Sequence, residues 1–205
     1  MQTKNPPPSN FSTPTSPVLQ VLNEFLQLKN LYRQGWLKRS VPLDKCESVA
    51  DHTLGTTLLS MLMVENHYPE ADLLKTLRMA LIHEAGEVYA GDITPVDGVS
   101  PEEKHRREEE SARTVFGGLP LAREYLLLWE EFEETSSLEA RIVRQADRLE
   151  MILQTLYYEK MGYWDFTEFF DNTQDLMKDP EFRRLFAEIR SLRNPGRAPG
   201  EATEL

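Results

Sequence analysis

The sequence predicts an all-α fold, a bundle of about eight helices around one core. Three observations carry this. Apolar residues recur at helical spacing in several long segments. Ser, Pro and Gly sit at the segment ends, where helix starts and stops need them. No alternating strand pattern and no internal repeat interrupts the series. With 205 residues and 40% hydrophobic content, the chain suits one domain with a sizeable core. That domain is expected at 16–193, between a polar, Pro-rich disordered tail at 1–15 and a flexible Pro- and Gly-bearing tail at 194–205.

Ser16 and Pro17 read as an N-cap followed by proline at the first helical position, ahead of Val18, Leu22, Phe25 and Leu26. Residues 31–47, with Lys38, Arg39 and Lys45, read as a loop. A second helix is expected from Ser48 to His67. Leu54, Leu58, Leu59, Met61 and Leu62 make it apolar on more than one face, so it is expected to be central. A third helix is expected from Glu70 to Ala90, closed by Gly91. Ser100-Pro101-Glu102-Glu103 is a capping box that opens a highly charged helix, stopped by Gly117-Gly118. Pro120 to Glu134 is amphipathic. Ser136 with Glu139 suggests another capping box, opening a helix to about Lys160. Two shorter helices fit 166–178 and 180–193.

Acidic residues number 34 and basic residues 23, a formal charge of −11. Such a surface repels nucleic acid and anionic membrane, so neither is expected as a partner. A small anion is still compatible, because local cations or a metal ion reverse the sign inside one pocket. Cys46 is the one cysteine, so no intrachain disulfide forms, as suits a reducing compartment. No apolar signal core follows the N-terminus, and no segment approaches the ~20 apolar residues of a membrane span. A soluble cytoplasmic protein is expected.

Four residues stand out on apolar faces. His52 lies early in the second helix, His83 and Glu84 follow Ala80, Leu81 and Ile82, and Asp147 shares a stripe with Val143 and Met151. Taken singly, each is more simply a hydrogen-bonded core residue. Together, two imidazoles and two carboxylates make a mixed nitrogen and oxygen ligand set for a borderline divalent metal.

A histidine, an adjacent histidine–acid pair and a distant aspartate, all on helices, resemble the signature of the HD-domain phosphohydrolases. Here they are His52, His83-Glu84 and Asp147. The stretches Glu47 to His52, Leu81 to Glu87, Gly91 to Ile93, Glu102 to Glu110 and Arg144 to Asp147 resemble the 5′-deoxynucleotidase-like branch of that superfamily. In one departure, Glu84 stands where the family has its name-giving aspartate; it keeps the charge and adds one methylene.

The resemblance implies a single HD-domain bundle. It implies one divalent transition-metal ion (Mn, Co, Fe, Ni or Zn) on His52, His83, Glu84 and Asp147, and hydrolysis of a nucleoside 5′-monophosphate. It also implies that Glu87 and Asp92 orient the attacking water and protonate the leaving oxygen, and that the protein is a homodimer. Arg39 and Lys38 are expected to help hold the phosphate, and Trp36 to stack on base or sugar; a basic surface loop and a core tryptophan are the simpler alternatives. Gln34-Gly35-Trp36 stands where bacterial deoxynucleotidases carry an Arg-Trp pair, so no sugar preference is implied. His67 and His105 are expected to lie outside the metal site. Trp129, Phe132, Trp164, Phe169 and Phe170 are either interface or core aromatics. Hydrolysis of another nucleotide, such as a triphosphate, and a catalytically weakened nucleotide-binding module remain the alternatives.

Overall fold

The computed structural model describes residues 14–193, and the described residues contain no β-strand. The tails expected at 1–15 and 194–205 lie, apart from Pro14 and Thr15, outside the described residues. The helices are α1 (Pro17–Phe25), α2 (Gln34–Leu37), α3 (Val49–His67), α4 (Leu73–Ile82), α5 (Glu87–Ala90), α6 (Pro101–Phe116), α7 (Ala122–Glu134), α8 (Leu138–Lys160), α9 (Thr167–Gln174) and α10 (Pro180–Ser191).

Helix α8 is the spine. With α3 it buries Met63, Ile152, Phe170 and Phe182 against α9 and α10; with α4, α6 and α7 it buries Met79, Phe116, Trp129 and Phe132. Each such apolar side chain contributes about 1.5–3 kcal/mol relative to exposure. Asp179 caps α10, Ser100 caps α6 and Ser48 opens α3 with a reciprocal box to Asp51.

Four local expectations need correction. Helix α8 is capped by Ser137, not Ser136, because Glu139 is engaged by the Asp72 N–H and by Lys75. Leu54, Leu58 and Leu62 of α3 are 71%, 51% and 45% exposed; its buried face includes Val49, His52, Thr56, Ser60, Met63 and Val64. Short side chains, with Gly55, let α8 approach closely: a Cβ on Gly55 would lie 2.6 Å from Glu150 Oε1. The segment 31–47 is a packed loop that includes α2, with Leu31, Tyr32, Trp36 and Val41 buried. An isolated bridge between Tyr32 and Ser48 clips its ends together, through the Arg33 N–H on the Glu47 carbonyl and the Val49 N–H on the Leu31 carbonyl.

The helix expected over 70–90 is broken. After Ile82 the backbone bonds shorten to i→i−3, from Ala85 N–H to Ile82 O and from Glu87 N–H to Glu84 O. Gly86 allows the break to nest under α6, since a Cβ there would meet the Glu108 Cβ at 2.7 Å. His83, Glu84 and Glu87 therefore leave a turn, not one helical face.

Candidate metal centre and cleft

His52 is wholly buried on α3. Its Nδ1 lies 2.6 Å from Glu150 Oε2. A carboxylate there favours the Nδ1–H tautomer and leaves the Nε2 lone pair free to ligate. His83 follows the end of α4, where carbonyls lack helical partners, and its Nδ1 lies 2.7 Å from the Ala80 carbonyl oxygen. A carbonyl only accepts, so this contact likewise presents Nε2 as the ligating nitrogen. Both Nε2 atoms are buried and make no hydrogen bond.

The two nitrogens converge on one carboxylate. Glu84 Oε1 lies 3.5 Å from His52 Nε2 and 3.5 Å from His83 Nε2. Asp147 Oδ1 stands 3.1 Å from His52 Nε2. Donors around one ion at about 2.1 Å are separated by roughly 3.0–3.5 Å, so these spacings fit a shared metal. His52, His83 and Glu84 form a donor group of the right dimensions for one ion; Glu47, His52 and Glu150 form another that shares His52.

The charges agree with that fit. Burial and Arg33 oppose a proton on His52, but Asp147 and Glu150 outweigh them and hold its pKa up at about 10. Without a metal, the site's negative charge is thus balanced in part by a proton on an imidazole. Burial lowers the pKa of His83, favouring the neutral ligand form. Burial works against the Asp147 carboxylate, yet His52 holds it well below the usual range.

The centre opens into a cleft of about 650 Å³. On its wall Arg33 is buried among three acids: its Nη1 lies 3.4 Å from Glu84 Oε1, 3.8 Å from Asp92 Oδ1 and 4.0 Å from Glu87 Oε1. Gly91, with a φ of 78°, turns the chain after α5 so that Asp92 faces back, where Oδ2 accepts the Gln34 N–H. Glu87 is buried with Oε2 unpartnered, and burial plus repulsion from Glu84 and Asp92 raises its pKa well above the usual carboxyl value.

The structure thus brings together His52, His83, Glu84 and Asp147, with Glu87 and Asp92 beside them on Arg33. Arg39 lines the cleft over the Phe169 ring and pairs with Glu168. Trp36 touches the cleft lining but is 2% exposed, packed on Phe169 and edge-on to Tyr158 and Phe166, with its indole N–H donated to Glu47, which is the core placement of the two alternatives. Lys38 does not line the cleft; its ammonium donates to Asp97 and to Thr94, which stands on the cleft wall. His67 lies beside Glu181, away from the centre; His105 stacks on Trp129 at the cleft wall. Trp129, Phe132 and Phe170 are core, and Trp164 is exposed.

Sequence reasoning missed Arg33 and Glu150. The signal for Glu150 was its position three residues after Asp147, on the same side of α8. Arg33 immediately precedes Gln34-Gly35-Trp36 and carried no periodic signal.

The HD domain family matches residues 25–189. The bovine protein named 5′-deoxynucleotidase HDDC2 is 39% identical over 191 residues, covering 91% of this chain and 90% of its own. The human protein of that name is 37% identical over 181 residues, covering 86% of each. Among solved structures, PH0347 from Pyrococcus horikoshii superposes with a TM-score of 0.74 at 28% identity, covering 85% of this chain and 99% of its own. A predicted metal-dependent phosphohydrolase from Magnetospirillum magnetotacticum gives 0.68 at 26%, covering 88% and 93%. The chain belongs to the HD-domain family, in the branch that includes the curated 5′-deoxynucleotidases.

Proposed function

We propose that this protein removes the 5′-phosphate from nucleoside monophosphates, using one divalent transition-metal ion held by His52, His83, Glu84 and Asp147. The observation that carries the reading is the pair of buried Nε2 atoms that stand 3.5 Å from the same Glu84 oxygen. When bound, the ion supplies Lewis-acid charge at a phosphoryl oxygen and eases proton loss from the attacking water. Asp92, anchored by the Gln34 N–H, accepts a proton from that water as it attacks phosphorus. Glu87, kept protonated by burial and its acidic neighbours, gives its proton to the nucleoside 5′ oxygen as the ester bond breaks. Arg33 offsets negative charge at the same wall, and Arg39 guards the mouth. The catalytic unit is taken as residues 16–193.

The test is phosphate release from ribo- and deoxynucleoside monophosphates and triphosphates by chelated protein resupplied with Mn, Co, Fe, Ni, Zn or Mg. Metal-dependent release from monophosphates, absent in His83→Ala, is expected. Folded protein that releases none with any ion overturns the reading.

A homodimer and a cytoplasmic setting complete this reading. The exposed Leu54, Leu58 and Leu62 row, with Leu153 and Tyr157 exposed on the adjoining α8, supports a second copy as the cover. Light scattering should give twice the chain mass, and Leu58→Glu with Leu62→Glu should give the single-chain mass. Among the described residues no helix is long and apolar enough to cross a membrane, and Cys46 is a buried thiol, as suits a reducing compartment.

A further inference from the structure

Five cationic side chains line the cleft: Arg33, Arg39, Lys104, Arg144 and Arg148. Four of them are neutralised within the protein. Arg33 has Glu84, Glu87 and Asp92; Arg39 has Glu168; Lys104 has Glu108; Arg144 has Glu133 and the face of Phe132. Arg148 alone has no carboxylate within 4.0 Å and no hydrogen bond among the described residues. It is half-buried, one residue beyond Asp147 and one turn beyond Arg144 on α8. The charges that bear on it are Asp147, in attraction, and Arg144, in repulsion.

An unpaired cation withdrawn from water is costly, and its retention in a cleft points to a counter-charge supplied from outside. Asp147 does not fill that role, because its oxygen is turned to His52 and the metal centre. The missing partner must be an anion that sits beside Asp147 and fits the planar fork of a guanidinium.

We propose that Arg148 is a phosphate-binding residue of the cleft, its guanidinium taking non-bridging oxygens of the substrate phosphate next to the centre that includes Asp147. This rests on the phosphomonoesterase reading for the identity of the substrate, but not for the class of ligand. Two parallel charge-assisted hydrogen bonds, made in the ground state and kept in the transition state, tighten phosphate binding and raise kcat/KM.

The test pairs calorimetric binding of inorganic phosphate to the full, manganese-loaded chain with kinetics on purine and pyrimidine nucleoside monophosphates. Arg148→Ala should weaken phosphate binding by about 10- to 100-fold. It should lower kcat/KM by a similar factor on every base. Arg148→Lys should restore only part of the loss, because an ammonium lacks the fork. The thermal midpoint of Arg148→Ala should stay level or rise, since no native partner is lost. Unchanged phosphate affinity in folded Arg148→Ala overturns the proposal. So does a kinetic loss confined to one base, which would make Arg148 a base reader. Arg148-dependent phosphate binding in a wild-type protein that hydrolyses no monophosphate would sink the substrate reading and leave this assignment standing.

Discussion

Two groups of charges in this molecule are opposites. On exposed α6, Arg106 and Arg107 share Glu103 at 2.8 and 2.7 Å, and Arg113 meets Glu109 at 2.6 Å; these pairs are short and opposite in sign. Beneath them, Arg33 meets three carboxylates at 3.4–4.0 Å, longer and outnumbered. Short surface pairs contribute little, because water already solvates both partners. The buried group is costly and mismatched, and the mismatch draws in a metal cation on one side and holds a proton on Glu87 on the other. Function lies where the charges fail to balance.

The largest effect that would break this comparison is at Glu84. Glu84→Gln keeps the volume and removes the charge both histidine nitrogens face. It should reduce kcat/KM by on the order of 10³-fold, the several kcal/mol an ion supplies. It should also shrink the rise in thermal midpoint on adding metal, which follows bound-state mass action. Equal metal-induced rises in wild type and variant would show that Glu84 is not a ligand.

Glu150 sharpens the comparison from behind the centre. It touches no substrate, and it positions His52 by accepting from Nδ1. Glu150→Gln is expected to weaken metal affinity by about 10- to 100-fold, with kcat at saturating metal less affected. Gly55→Ala should mimic part of this loss, since its Cβ would strike the Glu150 carboxylate. A variant with wild-type metal affinity would reduce Glu150 to a packing residue.

Most of the fold was legible because helix ends are local: Ser48, Ser100, Gly91 and Pro180 mark boundaries by their own chemistry. What was not legible depended on distant neighbours. The break at His83–Gly86 lies in a sequence that reads as continuous helix, and it exists because Glu108 of α6 crosses over Gly86. The leucines of α3 looked like core, but the buried side of that helix carries Val49, His52, Thr56, Ser60, Met63 and Val64, and Leu54, Leu58 and Leu62 face outward. The histidines and acids of the site were legible as misfits on apolar stripes. Arg33 was not, because it sits in a loop without period and is placed by the backbone bond from its N–H to Glu47. The directions of the Trp36 and Lys38 side chains were not legible, because proximity in sequence says nothing of where a side chain points.

Glu108 joins the two regions, for it stands on charged α6 but is buried. Burial outweighs Lys104, and repulsion from Glu133 and Glu84 adds to it, raising the pKa to about 7. The folded form therefore binds this proton more tightly than the unfolded chain does. Stability from this group is full below about pH 4.5, the ordinary glutamate value, and is lost as pH rises to 7. Glu108→Gln in chelated protein should flatten the fall in urea midpoint between pH 5 and 7. An unchanged slope would assign that fall to the other buried glutamates whose protons the fold holds, Glu47, raised to about 7 by burial and Glu150, and Glu87.

The smallest effect belongs to the best-formed pair on the surface. Arg106 reaches Glu103 with two nitrogens, at 2.8 and 2.9 Å, a bidentate geometry. Arg107 serves Glu103 too, at a shorter 2.7 Å, so its carboxylate keeps a partner when Arg106 is removed. Arg106→Ala should leave the thermal midpoint, the metal affinity and kcat/KM at wild-type values, measured at low salt where surface pairs count most. A fall in activity without a fall in stability would mean that α6 charge steers the substrate toward the cleft, and the division between matched surface and mismatched interior would have to be redrawn.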